Sequence, residues 1–157
     1  MELAGEMRLA ADPPQAFGAL LDPDVLARAI PGCKSFQQQA AGRYQLTAEL
    51  GVAGVGGRYQ GTLAVIDPQP PHSMRLQLEL TGGPGSVSAT ILVSLEPEDT
   101  GTRVTYHGVS EIGGKLAGIG QRMLDGVAKM LERQFMNRLA QEVADHVGGL
   151  EQGRTTS

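Results

Sequence analysis

The stretch Val104-Thr-Tyr-His-Gly-Val-Ser-Glu-Ile-Gly-Gly-Lys-Leu-Ala-Gly-Ile-Gly-Gln-Arg-Met-Leu-Asp-Gly-Val127 changes its apolar period once, and that change decides the fold. In its first part Val104, Tyr106 and Gly108 alternate with Thr105 and His107, the period of two that a half-buried strand requires. After Gly113-Gly114 the apolar residues recur every three or four positions: Leu116, Ile119, Met123, Val127, Met130 or Leu131, Phe135, Leu139 and Val143. That stripe predicts one long amphipathic helix of about 30 residues. Gly118, Gly120 and Gly126 fall in its first half, each at a cost of roughly 0.5–1 kcal/mol relative to Ala.

Upstream, the period of two extends back to Ser35 without a helical interruption. Tyr44, Leu46, Ala48 and Leu50 alternate with polar residues, as do Tyr59, Gly61, Leu63 and Val65, then Met74, Leu76, Leu78 and Leu80, then Val87, Ala89, Ile91, Val93 and Leu95. The links between them, such as Pro68 to Pro71 and Pro97 to Gly101, are short. Short links predict an antiparallel meander, because parallel strands need crossovers of about a dozen residues. Further upstream, residues 2–10 read as a strand. Asp12 before Pro13 and Asp22 before Pro23 each place an N-cap side chain ahead of a proline at the first helical position, which predicts two short helices ending near Leu21 and Ala29. Pro31-Gly32 stops the second. The order is strand, two short helices, about six strands and a long helix, an α+β domain over residues 1–147 with a disordered tail at 148–157.

Composition narrows the function. The chain has 157 residues, 41% of them hydrophobic, enough for one unaided core. Thirteen Lys and Arg against 17 Asp and Glu leave a net charge of −4, which argues against a nucleic-acid partner. A single cysteine, Cys33, excludes an internal disulfide, and the first residues lack a basic-then-apolar leader, so a cytoplasmic setting is expected. No apolar run reaches the roughly 20 residues that span a bilayer, so any membrane contact would be peripheral.

A curved sheet covered by one long helix makes room for a cavity. Only six residues are aromatic and none is Trp, while Gly61, Ala89, Gly108, Gly118 and Gly120 are expected to face inward. These small residues fit either close backbone approach or space left for a ligand. The expected pocket places Leu20, Leu26 and Ile30 at the mouth, Tyr44, Tyr59, Leu63, Leu78 and Tyr106 on the wall, and Gly120, Met123 and Val127 on the helix side. A tyrosine there could donate its proton to a ligand carbonyl. Catalytic or metal chemistry has little material. His72, His107 and His146 are dispersed, Cys33 has no partner histidine, and Gly54-Val-Gly-Gly57 precedes a strand rather than the helix a phosphate loop needs. Lys115, Arg122, Lys129, Arg133 and Arg138, interspersed with Asp125, Glu132 and Glu142, read as a solvated helix face.

Three segments carry a resemblance: Asp22-Pro-Asp-Val-Leu-Ala-Arg-Ala-Ile-Pro-Gly-Cys33, Gly101-Thr-Arg-Val-Thr-Tyr106 and Gly113-Gly-Lys-Leu-Ala-Gly-Ile-Gly-Gln-Arg122. Over about residues 2–140 the chain resembles the CoxG family of carbon monoxide dehydrogenase proteins, within the START-like, helix-grip (SRPBCC) superfamily. Phe17 stands where members commonly carry Trp, and the aromatic cluster near the end of the helix is reduced to Phe135-Met136. The resemblance implies a strongly curved antiparallel sheet of about seven strands around a long carboxy-terminal helix. It also implies an accessory protein of an aerobic carbon monoxide dehydrogenase or related molybdenum hydroxylase, handling a quinone or lipid with no covalent cofactor and no metal. Some members attach to the membrane through a carboxy-terminal extension; with Ser157 as the last residue, an anchor of that kind is not expected here. Two other readings stay open at this point: an interaction-only protein with a solid interior, and a cyclase or hydrolase with a Tyr or Glu111 as acid or base.

Overall fold

A computed structural model describes residues 1–145 except residue 53, and beyond them only the backbone course of the last helix. The expected disorder of 148–157 and the position of His146 lie outside the fully described residues. The elements are β1 (Glu2–Leu9), α1 (Pro13–Leu21), α2 (Pro23–Ala29), β2 (Cys33–Ala40), β3 (Arg43–Leu50), β4 (Gly57–Gln69), β5 (Ser73–Gly82), β6 (Gly85–Glu98), β7 (Gly101–Gly113), a 3-10 turn (Gly114–Gly118) and α3 (Gln121–Thr155).

The two short helices form as their caps dictate. The Asp12 side chain accepts from the Gln15 amide at 3.1 Å and that of Asp22 from the Asp24 amide at 2.9 Å, each ahead of a proline that lacks a donor. Asp22 closes α1 and opens α2, so the chain turns without an intervening loop. These helices carry the chain from one edge of the sheet to the other.

The seven strands form one antiparallel sheet in the order β1-β7-β6-β5-β4-β3-β2. Strands β2 to β7 are consecutive hairpins, and β1 pairs with β7. The strands are longer than the alternation suggested: β4 runs on to Gln69 and β6 to Glu98, leaving Asp99-Thr100 as the β6–β7 turn. Close strand approach explains two of the inward glycines. A Cβ on Gly61 would collide with the Glu79 carbonyl of β5, and one on Gly108 with the Thr90 carbonyl of β6. At both positions the side chain is absent because backbone occupies its place.

The long helix begins later than its apolar stripe suggests. Leu116 is buried in the 3-10 turn, with its amide bound to the Pro84 carbonyl at 3.0 Å, and Gly120 breaks the path with φ +104°. Gly118 and Gly120 therefore lie outside the helix, and Gly126 alone among the three occupies its interior. This register makes Leu124, not Met123, the first inward residue; Met123 is 50% exposed.

Two substitutions separate these roles. Gly126 has nothing within 4 Å of a Cβ, so Gly126→Ala should stabilise the protein by about 0.5–1 kcal/mol in urea unfolding. Gly61→Ala should destabilise it by roughly 1–3 kcal/mol, since strands β4 and β5 must separate to admit the methyl group.

Candidate functional site

Residues directly opposite one another across a sheet share a face, so the register lays out the inner wall. Tyr44, Leu63, Leu78, Ala89 and Ser110 form one row across β3 to β7, and Val65, Leu76, Ile91 and Gly108 form the next. Facing them, α3 presents Leu124, Val127 and Phe135, with Leu139 and Val143 at its far end. The ends of this interior are sealed. Leu9, Ala16, Ala29, Met74, Leu139 and Val143 pack tightly where α1, α2 and the second half of α3 meet the sheet. Val55, Tyr59 and Leu116 close the opposite end.

The middle is different. Leu63, Leu76, Leu78, Leu80, Ile91, Val127, Leu131 and Phe135 are only half-buried. For the central-strand residues the remaining accessible surface lies on the concave face, because their side chains point there. An apolar wall that helix and sheet have not filled is a binding surface for an apolar molecule.

The expected pocket residues divide among these zones. Leu26, Ile30, Tyr44, Leu63 and Leu78 come together with Phe36, Leu46 and Phe135. Tyr59 and Val127 sit at the Leu116 end, and Leu20 and Tyr106 pack against the opposite end. Two expectations are corrected. Gly120 is exposed with nothing within 4 Å of its Cβ direction, and Met123 lies against the β3–β4 loop at Gly54 rather than inside. Both follow from the late start of α3. Glu111, the acid or base of the enzymatic alternative, is exposed, beside the inward Ser110.

The tyrosines also differ from expectation. Tyr44 donates to the Leu21 carbonyl at 2.9 Å, Tyr59 to the Val55 carbonyl at 2.6 Å and Tyr106 to Glu132 Oε1 at 2.6 Å. Each phenol proton is thus committed within the chain, and none is free for a ligand carbonyl. Burial pushes all three phenols above their usual range; Asp22 adds to this at Tyr44, and the hydrogen bond and charge of Glu132 at Tyr106.

Glu132 did not stand out in the sequence, where it belongs to the charged helix face. It has a counterpart in Gly5, which pairs with Tyr106 across β1 and β7. A Cβ on Gly5 would lie 2.7 Å from Tyr106 Cζ, so glycine there lets the ring lie flat and reach α3. Beside this pair a cleft of about 290 Å³ opens between β1 and α3. A second hollow, of about 450 Å³, lies at Leu21, Tyr44, Val65 and Pro68.

Elsewhere the polar groups do not converge. Among the described residues no three of His, Cys, Asp and Glu gather as a metal site. Cys33 is half-buried, with its Sγ 3.4 Å from the Ser35 carbonyl, and burial pushes its thiol up. Arg28 and Glu142 form a 2.7 Å ion pair that ties α2 to α3, and Glu142 holds the guanidinium above its ordinary value.

The comparisons with known proteins agree with this architecture. The carbon monoxide dehydrogenase CoxG family matches residues 5–144. A conserved protein from Geobacillus kaustophilus is 36% identical, with 92% of this chain and 96% of that one covered and a TM-score of 0.88. A START superfamily protein from Mycobacterium smegmatis is 14% identical, covers 92% of this chain and 97% of its own, and has a TM-score of 0.73. A protein from Chromobacterium violaceum is 20% identical over 90% of this chain and 96% of its own, with a TM-score of 0.67. The last two likenesses establish the fold alone. No curated protein matches.

The phenols set an alkaline limit. With folded values above the unfolded value of about 10, their protonated state stabilises the fold fully below pH ~10, and that contribution is lost as pH rises through the folded values. Spectrophotometric titration should show little tyrosinate in the native protein at pH ~10, where the denatured chain is half-ionised. Tyr106→Phe should remove the last phenol to ionise.

Proposed function

The chain belongs to the CoxG family of carbon monoxide dehydrogenase proteins, and from this premise we propose that it is a non-catalytic accessory protein that carries a quinone or lipid between its sheet and α3. The observation that supports the reading is the unfilled inner wall: Leu63, Leu78 and Ile91 from the sheet and Val127 and Phe135 from α3 keep accessible surface although they point at one another across the interior. Burying apolar ligand surface against such a wall yields about 25 cal/mol per Å², which suits a molecule with an isoprenoid or acyl chain.

The protein served is an aerobic carbon monoxide dehydrogenase or a related molybdenum hydroxylase, for which a bound quinone would be a mobile electron acceptor. Among the described residues no helix is long and apolar enough to cross a membrane, so exchange with a bilayer would proceed by peripheral contact. The ligand would enter beside the short helices, where Leu26 and Ile30 meet the inner wall.

Titration of the full chain with a short-chain menaquinone analogue and, separately, a fluorescent fatty acid tests the reading. Saturable uptake of one of them near one per chain is expected. Leu78→Trp, which fills the middle of the wall, should weaken that uptake at least tenfold, about 1.4 kcal/mol, while circular dichroism stays native. If the wild-type chain takes up neither probe, the carrier reading is wrong and the interaction-only protein replaces it.

A further inference from the structure

The cleft between β1 and α3 has a polar floor whose chemistry is one-sided. Gly5 and Tyr106 form its sheet side, and Asp125, Ala128, Glu132 and Met136 its helix side. The helix residues recur at intervals of three and four, so they stand on one stripe of α3, next to the apolar stripe of Leu124, Val127 and Phe135. Ala128, Met136 and the bare backbone of Gly5 give the cleft apolar walls.

At the floor the Tyr106 hydroxyl donates its one proton to Glu132 Oε1 at 2.6 Å. Glu132 has no other hydrogen-bond or ion-pair partner among the described residues, and its carboxylate accepts without donating. What the pair offers an incoming molecule is therefore a second carboxylate oxygen and the lone pairs of a phenol. Other polar groups at the cleft do not change this. Asp125 already accepts from Gln121 Nε2 at 2.8 Å, and the Met1 ammonium donates to the Ser110 carbonyl at 2.8 Å. Lys129 and Arg133 are exposed at the rim, where water competes for their protons.

Resting on the carrier reading, we propose that the Tyr106–Glu132 pair anchors the polar end of the ligand and selects a hydroxyl-bearing molecule, an alcohol, phenol or hydroquinone, over its carbonyl or ether counterpart. A hydroxyl meets Glu132 as donor and forms a charge-assisted hydrogen bond. A carbonyl or ether oxygen brought to the same place faces only acceptors, and its desolvation goes uncompensated. Of a quinone couple, this site holds the reduced member more tightly.

The test uses matched probes, 4-octylphenol and its methyl ether 4-octylanisole, titrated calorimetrically into the full chain. The phenol should bind at least tenfold more tightly. In Glu132→Gln, whose amide can donate as well as accept, the preference should fall to within about twofold; in Tyr106→Phe, which leaves the carboxylate in place, it should persist. Equal binding of the two probes to the wild-type chain, or a preference unchanged by Glu132→Gln, overturns the anchor while leaving an apolar site. Binding of neither probe overturns the anchor and counts against the carrier reading as well.

Discussion

One constraint governs this structure: a single antiparallel sheet has an apolar concave face, and only one element, α3, is long enough to cover it. A sheet that does not close into a barrel cannot bury its inner side chains against itself. The cover is held at its ends. The packing of Leu139 and Val143 beneath α1 and α2, the Arg28–Glu142 pair, and the Leu116 turn under the β5–β6 connection fix both ends of the interior. Between them, a straight helix over a curved sheet touches the wall incompletely, which is where the half-buried leucines lie.

Much of this was legible in the sequence because each signal is local. Period-two runs survive in strands with one wet face, and the two Asp-Pro steps carry their own caps. The start of α3 was not legible, because apolar spacing continues through Leu116 and Ile119 while the backbone does not. That break depends on a positive φ at Gly120 and on a hydrogen bond to Pro84, a residue more than thirty positions away. The misplaced start carried Met123 and Gly120 to the wrong side of the helix.

The candidate site was legible in part for the same reason. Leu63, Leu78 and Tyr44 fall on one row because alternation alone sets their face. Glu132 could not be picked out, since its partner Tyr106 is 26 residues away and its neighbours in sequence are those of a solvated helix. The clue that was present, Gly5 in an alternating strand, acquires meaning only when β1 is paired with β7. Gly61 and Gly108 show the opposite outcome: suggestive of a cavity in sequence, they are required by close backbone approach. The unfilled space comes from the helix lying clear of the leucines rather than from missing side chains.

Together these features describe a container: sealed ends, an apolar middle and one polar pair beside an opening. Native mass spectrometry of the freshly purified chain, followed by solvent extraction of what it releases, tests that description most directly. A co-purifying apolar molecule near one per chain, lost on denaturation, is the predicted result. A bare chain mass from cells rich in quinone and lipid, with nothing in the extract, would contradict it.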